Sequence, residues 1–320
     1  MSILQVFLFG GVRIVQNSEI NLGPIAEALL AYLLIYRDRR HRRDVLASLF
    51  WGEQTDKQAR RCLNTTLWRL RNKINLVDEL YIPSSANGEI HFNLQADYWL
   101  DIALFHEKTQ IGFQQPIENM RKVHVEALEE ATCLYKGDLL EGYYQDWALR
   151  ERERQRSVYL QCLLKLTHYY QYFEDYEKSV LYGQKILELE PLREEIHREL
   201  MSCYLAIGQR DKARQQFQIC KKLLASELDV FPMEETQALY RTVLSAPPSL
   251  PKSSLTTLEQ SPVNFSQAVY QLQLAEREFN NAHIKLQEAI QNVAYFSKHL
   301  SDPNSLPPPD FKANSENLLA

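Results

Sequence analysis

The chain has 320 residues, of which 45% are hydrophobic and 24% are charged, and its formal net charge at pH 7 is -5. This balance is typical of soluble globular proteins and excludes wholly disordered, collagen-like and mucin-like chains. The length is sufficient for two or three domains. We find neither a run of about 18 apolar residues, as a membrane-spanning helix needs, nor a secretory signal. We therefore expect a cytoplasmic protein with no membrane partner.

Residues 1–98 predict a winged helix-turn-helix domain. Alternating apolar residues near the start predict a small β-sheet, and three helical patterns follow, the last from about Lys57 to Ile74. Asn87-Gly88 then stands between Tyr81-Ile82 and Ile90-His91-Phe92, which predicts a type I′ hairpin that would form the wing. A small sheet, three helices and a hairpin in this order are typical of that fold.

Residues 99–245 predict an α-helical repeat domain, so that the fold class of the whole chain is mainly α. Residues 160–225 repeat at an offset of 34, which places Leu166 on Leu200 and Tyr170 on Tyr204. This is the period of tetratricopeptide (TPR) helix pairs. Stacked helix pairs usually offer a surface to a partner rather than a catalytic site.

The last part of the chain predicts a linker, one helix and a tail. Residues 246–263 are rich in proline, serine and threonine, residues 264–300 predict a C-terminal helix, and residues 301–320 predict a disordered tail. A coiled-coil seam on this helix would contain Phe265, Val269, Leu272, Phe279, Leu286, Ile290, Val293 and Leu300. The seam either joins two copies in a homodimer through residues 265–300 or folds back on the repeats, and both alternatives remain open.

The third helix of the N-terminal domain divides into an apolar and a basic side. Leu63, Leu67, Leu70 and Ile74 share one stripe, which we expect to face the core. Arginine can donate two hydrogen bonds to guanine, asparagine pairs with adenine, and threonine contacts phosphate or a thymine methyl group. A solvated helix face is the alternative. The candidate base-reading residues are Arg61, Asn64, Thr65, Trp68, Arg69 and Arg71.

Basic residues around this helix are candidates for contacts that fix the register on DNA without reading its sequence. For Trp68 we expect packing on the wing or a neighbouring domain, in preference to contact with sugar and base edges. The candidate phosphate contacts are Arg39, Arg40, Arg42, Arg43, Lys57 and His91.

Motifs of catalysis and metal binding are missing from the sequence. It contains no GxxxxGK[ST] loop, no GxGxxG after a strand, no HExxH, no GxSxG and no cluster of cysteine and histidine at metal-ligand spacing. We therefore expect no enzyme activity, no catalytic residue, no metal and no cofactor. The five cysteines form no CxxC pair and predict reduced thiols.

Several stretches resemble the bacterial transcriptional activator domain proteins, which include the antibiotic regulatory proteins of actinomycetes. The N-terminal half is similar to the response-regulator (OmpR/PhoB) type of winged helix at residues 28–33 (ALLAYL), 46–51 (LASLFW) and 63–71 (LNTTLWRLR). The helical half is similar to the activator domain at residues 135–142 (YKGDLLEG), 151–154 (ERER), 191–195 (PLREE) and 227–230 (ELDV). The resemblance implies activation of transcription, repeated promoter sites and contact with RNA polymerase.

Together these features predict a sequence-specific DNA-binding transcription regulator, an activator whose partners are double-stranded promoter DNA and RNA polymerase. The alternative is a TPR-type signalling scaffold whose winged helix binds protein rather than DNA. A basic recognition face favours DNA, because a scaffold has no need of one.

Overall fold

The structure is a computed structural model that describes residues 3–75, 80–83 and 88–245. All of these belong to one compact unit, Met1–Ser249. The predicted linker, C-terminal helix and tail lie outside the described residues, as does Asn87 of the predicted turn. The strands are β1 (Leu4–Phe7), β2 (Arg13–Gln16), β3 (Ser18–Glu19), β4 (His41–Arg42), β5 (Glu89–Ile90) and β6 (Tyr98–Leu100), and the helices are α1 (Pro24–Ile35), α2 (Arg43–Trp51), α3 (Asp56–Ile74), α4 (Asp101–Phe113), α5 (Lys122–Leu134), α6 (Asp146–Tyr172), α7 (Tyr176–Leu189), α8 (Glu194–Ala206), α9 (Arg210–Glu227) and α10 (Glu234–Ser245).

The N-terminal sheet has four strands in the order β3-β2-β1-β6. β1 pairs antiparallel with β2 and parallel with β6, where Leu4 lies opposite Tyr98. The alternation of the sequence explains one buried face, since Leu4, Val6 and Leu8 are fully buried. The predicted sheet is thus present, and it includes a strand that begins at residue 98, the predicted domain boundary.

The three helices of the N-terminal half pack as a helix-turn-helix. α2 and α3 contact each other, and α1 packs across α3. Leu63, Leu67, Leu70 and Ile74 are all buried, which confirms the predicted apolar stripe. At the start of α3, the Gln58 side chain accepts a hydrogen bond from the backbone amide of Thr55 at 3.3 Å, a helix-capping contact.

The wing differs from the predicted hairpin. β5 pairs with β4, with His41 opposite Ile90 and Arg42 opposite Glu89, rather than with Tyr81-Ile82. The two predicted hairpin arms still meet, through stacking of the Tyr81 and Phe92 rings at 6.1 Å and a hydrogen bond from the Asn93 amide to the Tyr81 carbonyl at 2.8 Å. Pairing with β4 joins the wing to the start of α2, and no turn signal in the sequence indicates so distant a partner.

The helical half consists of antiparallel pairs, which confirms the predicted TPR-like repeats. α4 packs on α5, α6 on α7 and α8 on α9, and α10 closes the array. The repeat positions Leu166 and Leu200 are both fully buried. α7 and α8 approach closely because Gly183 has no side chain, since a Cβ there would lie 2.7 Å from a methyl carbon of Leu200.

The two halves join at the end of β1. The buried carboxylate of Asp101, the first residue of α4, accepts hydrogen bonds from the amides of Leu8 and Phe9 at 2.7 and 2.9 Å. The Leu140 amide donates to the Leu8 carbonyl at 2.9 Å, and the ring of Phe9 packs on Phe105. These contacts attach the helical half to the sheet. No helix in the described part of the chain is long and apolar enough to cross a membrane.

Candidate nucleic-acid interface

α3 presents one continuous polar side to solvent. Arg61, Asn64, Thr65 and Arg69 are all exposed, as the helical spacing predicts. A helix of 19 residues is about 28 Å long, and a major groove about 12 Å wide admits an α-helix. The structure therefore brings four of the six candidate base-reading side chains to one accessible surface, although the Thr65 hydroxyl donates to the Arg61 carbonyl at 3.0 Å.

Trp68 is exposed on the same side of α3. Trp68 is 63% exposed. The expectation that it packs on the wing or a neighbouring domain is therefore wrong within the part of the chain that the structure describes. An exposed indole offers a large apolar surface and an N–H donor to a binding partner. Because it lies one helical turn from Asn64 and next to Arg69, whatever binds this side of α3 also contacts the indole.

Arg71 occupies a different position from the other candidates. Its Nε donates to the Ile82 carbonyl at 2.9 Å and its Nη2 to the Pro83 carbonyl at 3.0 Å, and burial lowers the pKa of its guanidinium. The side chain thus fastens the segment after α3 to the helix. The prediction that Arg71 reads bases is corrected here, because helical spacing alone could not reveal the carbonyls that occupy its donors.

Two predicted phosphate contacts are engaged with neighbouring side chains. Arg43 donates from Nη2 to the Asn64 side-chain oxygen at 2.6 Å, which orients that amide on α3. Arg42 forms a bidentate ion pair with Asp44, in which Nε donates to Oδ1 at 3.2 Å and Nη2 donates to Oδ2 at 2.6 Å. The Arg42 side chain is exposed, and a phosphate can replace Asp44 as its partner at small cost, since exposed ion pairs contribute little.

The remaining predicted phosphate contacts lie at the two ends of this surface. Arg39 is exposed and stands over the ring of Tyr36, and Arg40 lies 3.9 Å from a carboxylate oxygen of Glu89 in the wing. Lys57 is exposed in the first turn of α3. His91 is half-buried with its Nδ1 enclosed, so its ring is less accessible than the prediction requires.

Arg60 is a residue that the sequence argument did not assign to the site. An open cleft between α2, α3 and the wing is lined by Arg42, Arg43, Arg60 and Asn64 among others. Arg60 is exposed there one turn before Asn64. The sequence signal that could have identified Arg60 was its place among the basic residues of α3.

Among the described residues, none of Lys57, Arg60, Arg61 and Arg69 forms an ion pair, so their charges attract an external anion.

The described residues contain no group of three or more histidine, cysteine, aspartate or glutamate side chains that could hold a metal ion. The chemistry available at this surface is therefore that of hydrogen-bond donors, amide groups and one indole. In protein–DNA complexes, side chains of these types contact phosphate oxygens and base edges.

Comparisons with known proteins show that the chain is similar to transcription regulators. Residues 100–244 match the bacterial transcriptional activator domain family. The regulatory protein AfsR of Streptomyces coelicolor is 27% identical over 237 residues, which cover 74% of this chain and 24% of that protein. The chain thus spans about a quarter of the length of the curated relative that it matches.

A solved structure supports the fold. Mycobacterium tuberculosis EmbR, in complex with a low-affinity phosphopeptide, superposes with a TM-score of 0.61 at 17% identity, and the match covers 76% of this chain and 65% of that one. Residues 100–244 are thus similar to the bacterial transcriptional activator domain family, and the chain is similar over 237 residues to a regulatory protein.

Proposed function

We propose that this chain is a sequence-specific DNA-binding activator of transcription that acts in the cytoplasm. One observation carries the proposal: α3 buries a narrow apolar stripe and exposes Arg61, Asn64, Thr65 and Arg69 together on its opposite side. In the major groove, the two arginines would donate to guanine edges and Asn64 would pair with adenine. Trp68 would lie against sugar or base edges at the centre of the contact.

The backbone contacts in this proposal surround α3. Arg39, Arg40, Arg42, Arg43 and Lys57 would contact phosphates, and they would add affinity without sequence preference. Arg60 joins this set because it lines the same cleft as Arg42 and Arg43. The wing would lie along the neighbouring groove, since β5 is paired to β4 beside these arginines.

The helical half supplies the protein contacts in this proposal. Residues 99–245 carry more acidic than basic residues and are thus repelled by DNA, whereas stacked helix pairs offer a large surface to proteins. Similarity to the activator family supports contact with RNA polymerase and joint occupancy of repeated promoter sites as parts of this proposal. No cofactor and no catalytic step enter this function.

The experiment selects fragments of the source genome that bind the full chain and then titrates one selected site and a mismatched site. Replacing Arg61 and Arg69 by alanine should lower discrimination between the sites by about 1–3 kcal/mol for each lost bidentate contact. Lys57→Ala should instead weaken binding to both sites equally and flatten the slope of log affinity against log salt by about 0.9. Transcription from the selected promoter with purified polymerase then tests activation.

Arg214→Ala is the matched control, because Arg214 is an exposed arginine on α9 of the helical half. It should leave both affinities at the parent values. Equal binding by the Arg61/Arg69 variant and the parent would contradict the proposal. That result would favour the scaffold alternative, in which the winged helix binds protein.

A further inference from the structure

Glu151 is a buried carboxylate of the helical half whose hydrogen-bond donor belongs to the N-terminal half. It lies on α6, is 7% exposed, and accepts a hydrogen bond at Oε1 from the hydroxyl of Tyr36 at 2.9 Å. Burial raises the pKa of Tyr36 to about 12, so the hydroxyl keeps its proton and donates. Arg154 lies 3.8 Å from the same oxygen and partly balances its charge. A buried carboxylate is costly without such partners, so this contact is specific.

Tyr36 organises the basic segment, residues 37–43, which follows it directly. Its carbonyl accepts hydrogen bonds from the Arg39 amide at 3.3 Å and from Nε2 of His41 at 3.2 Å. The guanidinium of Arg39 stands over its ring, 4.6 Å from the centroid. One residue therefore fixes the turn that leads from α1 to β4 and also orients a predicted phosphate contact.

The same segment continues to the side that would face DNA. His41 and Arg42 form β4, which pairs with the wing, and Arg43 then donates to Asn64 on α3. Every link from Glu151 to this surface is thus a hydrogen bond, a strand pairing or a ring contact between described residues.

A second side chain of α6 touches this region one turn before Glu151. The indole of Trp147 packs edge-on against Tyr32 at 5.1 Å, and Tyr32 contacts the rings of Tyr36 at 4.7 Å and His41 at 5.3 Å. Because Trp147 and Glu151 are four residues apart, they lie on the same face of α6. This face of α6 therefore contacts the region of the turn at two points, Tyr36 and Tyr32.

We propose that Glu151 is a positioning residue for binding of the DNA backbone: through Tyr36, the helical half holds the basic segment in the geometry that grips phosphate. This inference rests on the proposed function, and it makes the activator domain part of the DNA-binding apparatus. Glu151 itself contacts no DNA, so its removal alters how many phosphates are neutralised and leaves the reading of bases by α3 unchanged.

The test uses the full chain with Tyr36→Phe, which removes only the hydroxyl, and with Glu151→Ala. Each variant should weaken binding to the selected DNA and to the mismatched DNA by the same factor. We expect a factor of up to about tenfold, which corresponds to the loss of one hydrogen bond. The slope of log affinity against log salt should flatten by up to about 0.9, the value for one phosphate. Glu151→Gln keeps an acceptor oxygen and should recover most of the slope.

Two matched controls separate positioning from a loss of stability. Tyr170→Phe removes a similar bond, from the Tyr170 hydroxyl to Glu129 at 2.6 Å, which lies wholly within the helical half. Tyr143→Phe removes a contact between the same two halves, to Glu27 at 2.7 Å, away from the basic segment. Both controls should keep the parent slope of log affinity against log salt. A variant that is merely less stable would lower the amplitude of the binding signal, because less folded protein is present, but it would not change this slope.

Amide hydrogen exchange in the absence of DNA gives an independent readout. Residues 39–43 should exchange faster in Tyr36→Phe than in the parent and in both controls. Parent-like salt slopes and exchange rates in Tyr36→Phe and Glu151→Ala would overturn the inference and leave the proposed function intact. Absence of DNA binding by the parent would instead remove the proposed function, and with it this inference.

Discussion

Asp101 is a single side chain that completes the backbone hydrogen bonding of β1 where the strand ends. The Leu8 and Phe9 amides both donate to its Oδ2, and its Oδ1 accepts from the Ile102 amide at 2.7 Å. These amides are buried, so they have no access to water when the carboxylate is removed.

We expect Asp101→Ala to lower the free energy of unfolding by about 2–6 kcal/mol, because it orphans the buried Leu8 and Phe9 amides and each such amide costs about 1–3 kcal/mol. Asp101→Asn keeps one acceptor oxygen and should lose less than the alanine variant. Urea denaturation of both variants measures the difference. A loss as small as that of an exposed surface substitution would show that another group satisfies these amides.

Residue spacing could identify which side chains of α3 are accessible, but not what each of them contacts. The positions of Arg61, Asn64 and Arg69 follow from a period of 3.6 residues, which depends on the helix alone. The role of Arg71 depends on where the backbone of Ile82 and Pro83 returns, which is a tertiary property. The exposure of Trp68 is likewise a tertiary property, because it depends on how the rest of the chain packs around α3.

At the scale of elements, the loop between α5 and α6 explains why residues 135–142 form a recognisable signature. The Gly10 amide donates to the Asp138 carbonyl at 3.0 Å, and Arg152 donates to the carbonyls of Leu139, Leu140 and Tyr143. The loop thus connects the sheet to α6. Its close approach to the sheet favours glycine, because a Cβ on Gly137 would lie only 3.0 Å from the Cα of Gly10.

Gly137→Ala should therefore destabilise the protein by about 1–3 kcal/mol, the usual cost of inserting a methyl group into a packed contact. Lys136→Ala, at the exposed preceding residue, is the control and should be nearly neutral. Thermal unfolding of the two variants makes the comparison. If both unfold at the parent temperature, the loop moves freely and does not join the halves.

Elements with local causes were predictable, and elements with distant partners were not. The helices and the repeat follow from the spacing of apolar residues within each segment, as at Leu166 and Leu200. The pairing of β4 with β5 and of β1 with β6 joins residues that are far apart in sequence. A two-residue strand such as His41–Arg42 is too short to show a periodic pattern in the sequence. The sequence therefore did not indicate that this strand, rather than Tyr81-Ile82, pairs with β5.

At the scale of the whole molecule, the apolar seam in residues 265–300 remains a prediction, and self-association of the chain depends on it. A chain shortened to end at Ser245 retains every described element. If the seam joins two copies, sedimentation should find a dimer for the full chain and a monomer for the shortened chain. The same oligomeric state for both would eliminate the dimer and leave the fold-back alternative.

The parallel pairing of β1 with β6 has a consequence for how the chain acquires its fold during synthesis. The first strand is synthesised early, but its neighbour Tyr98–Leu100 and the loop at Leu139-Leu140, which bonds to Leu8, are synthesised only after the rest of the winged-helix sequence. Contacts between such distant segments form slowly, because a long loop must close first. In the nascent chain, this edge of β1 therefore stays unpaired until Tyr98–Leu100 is available, and such open edges are sites of wrong pairing during folding.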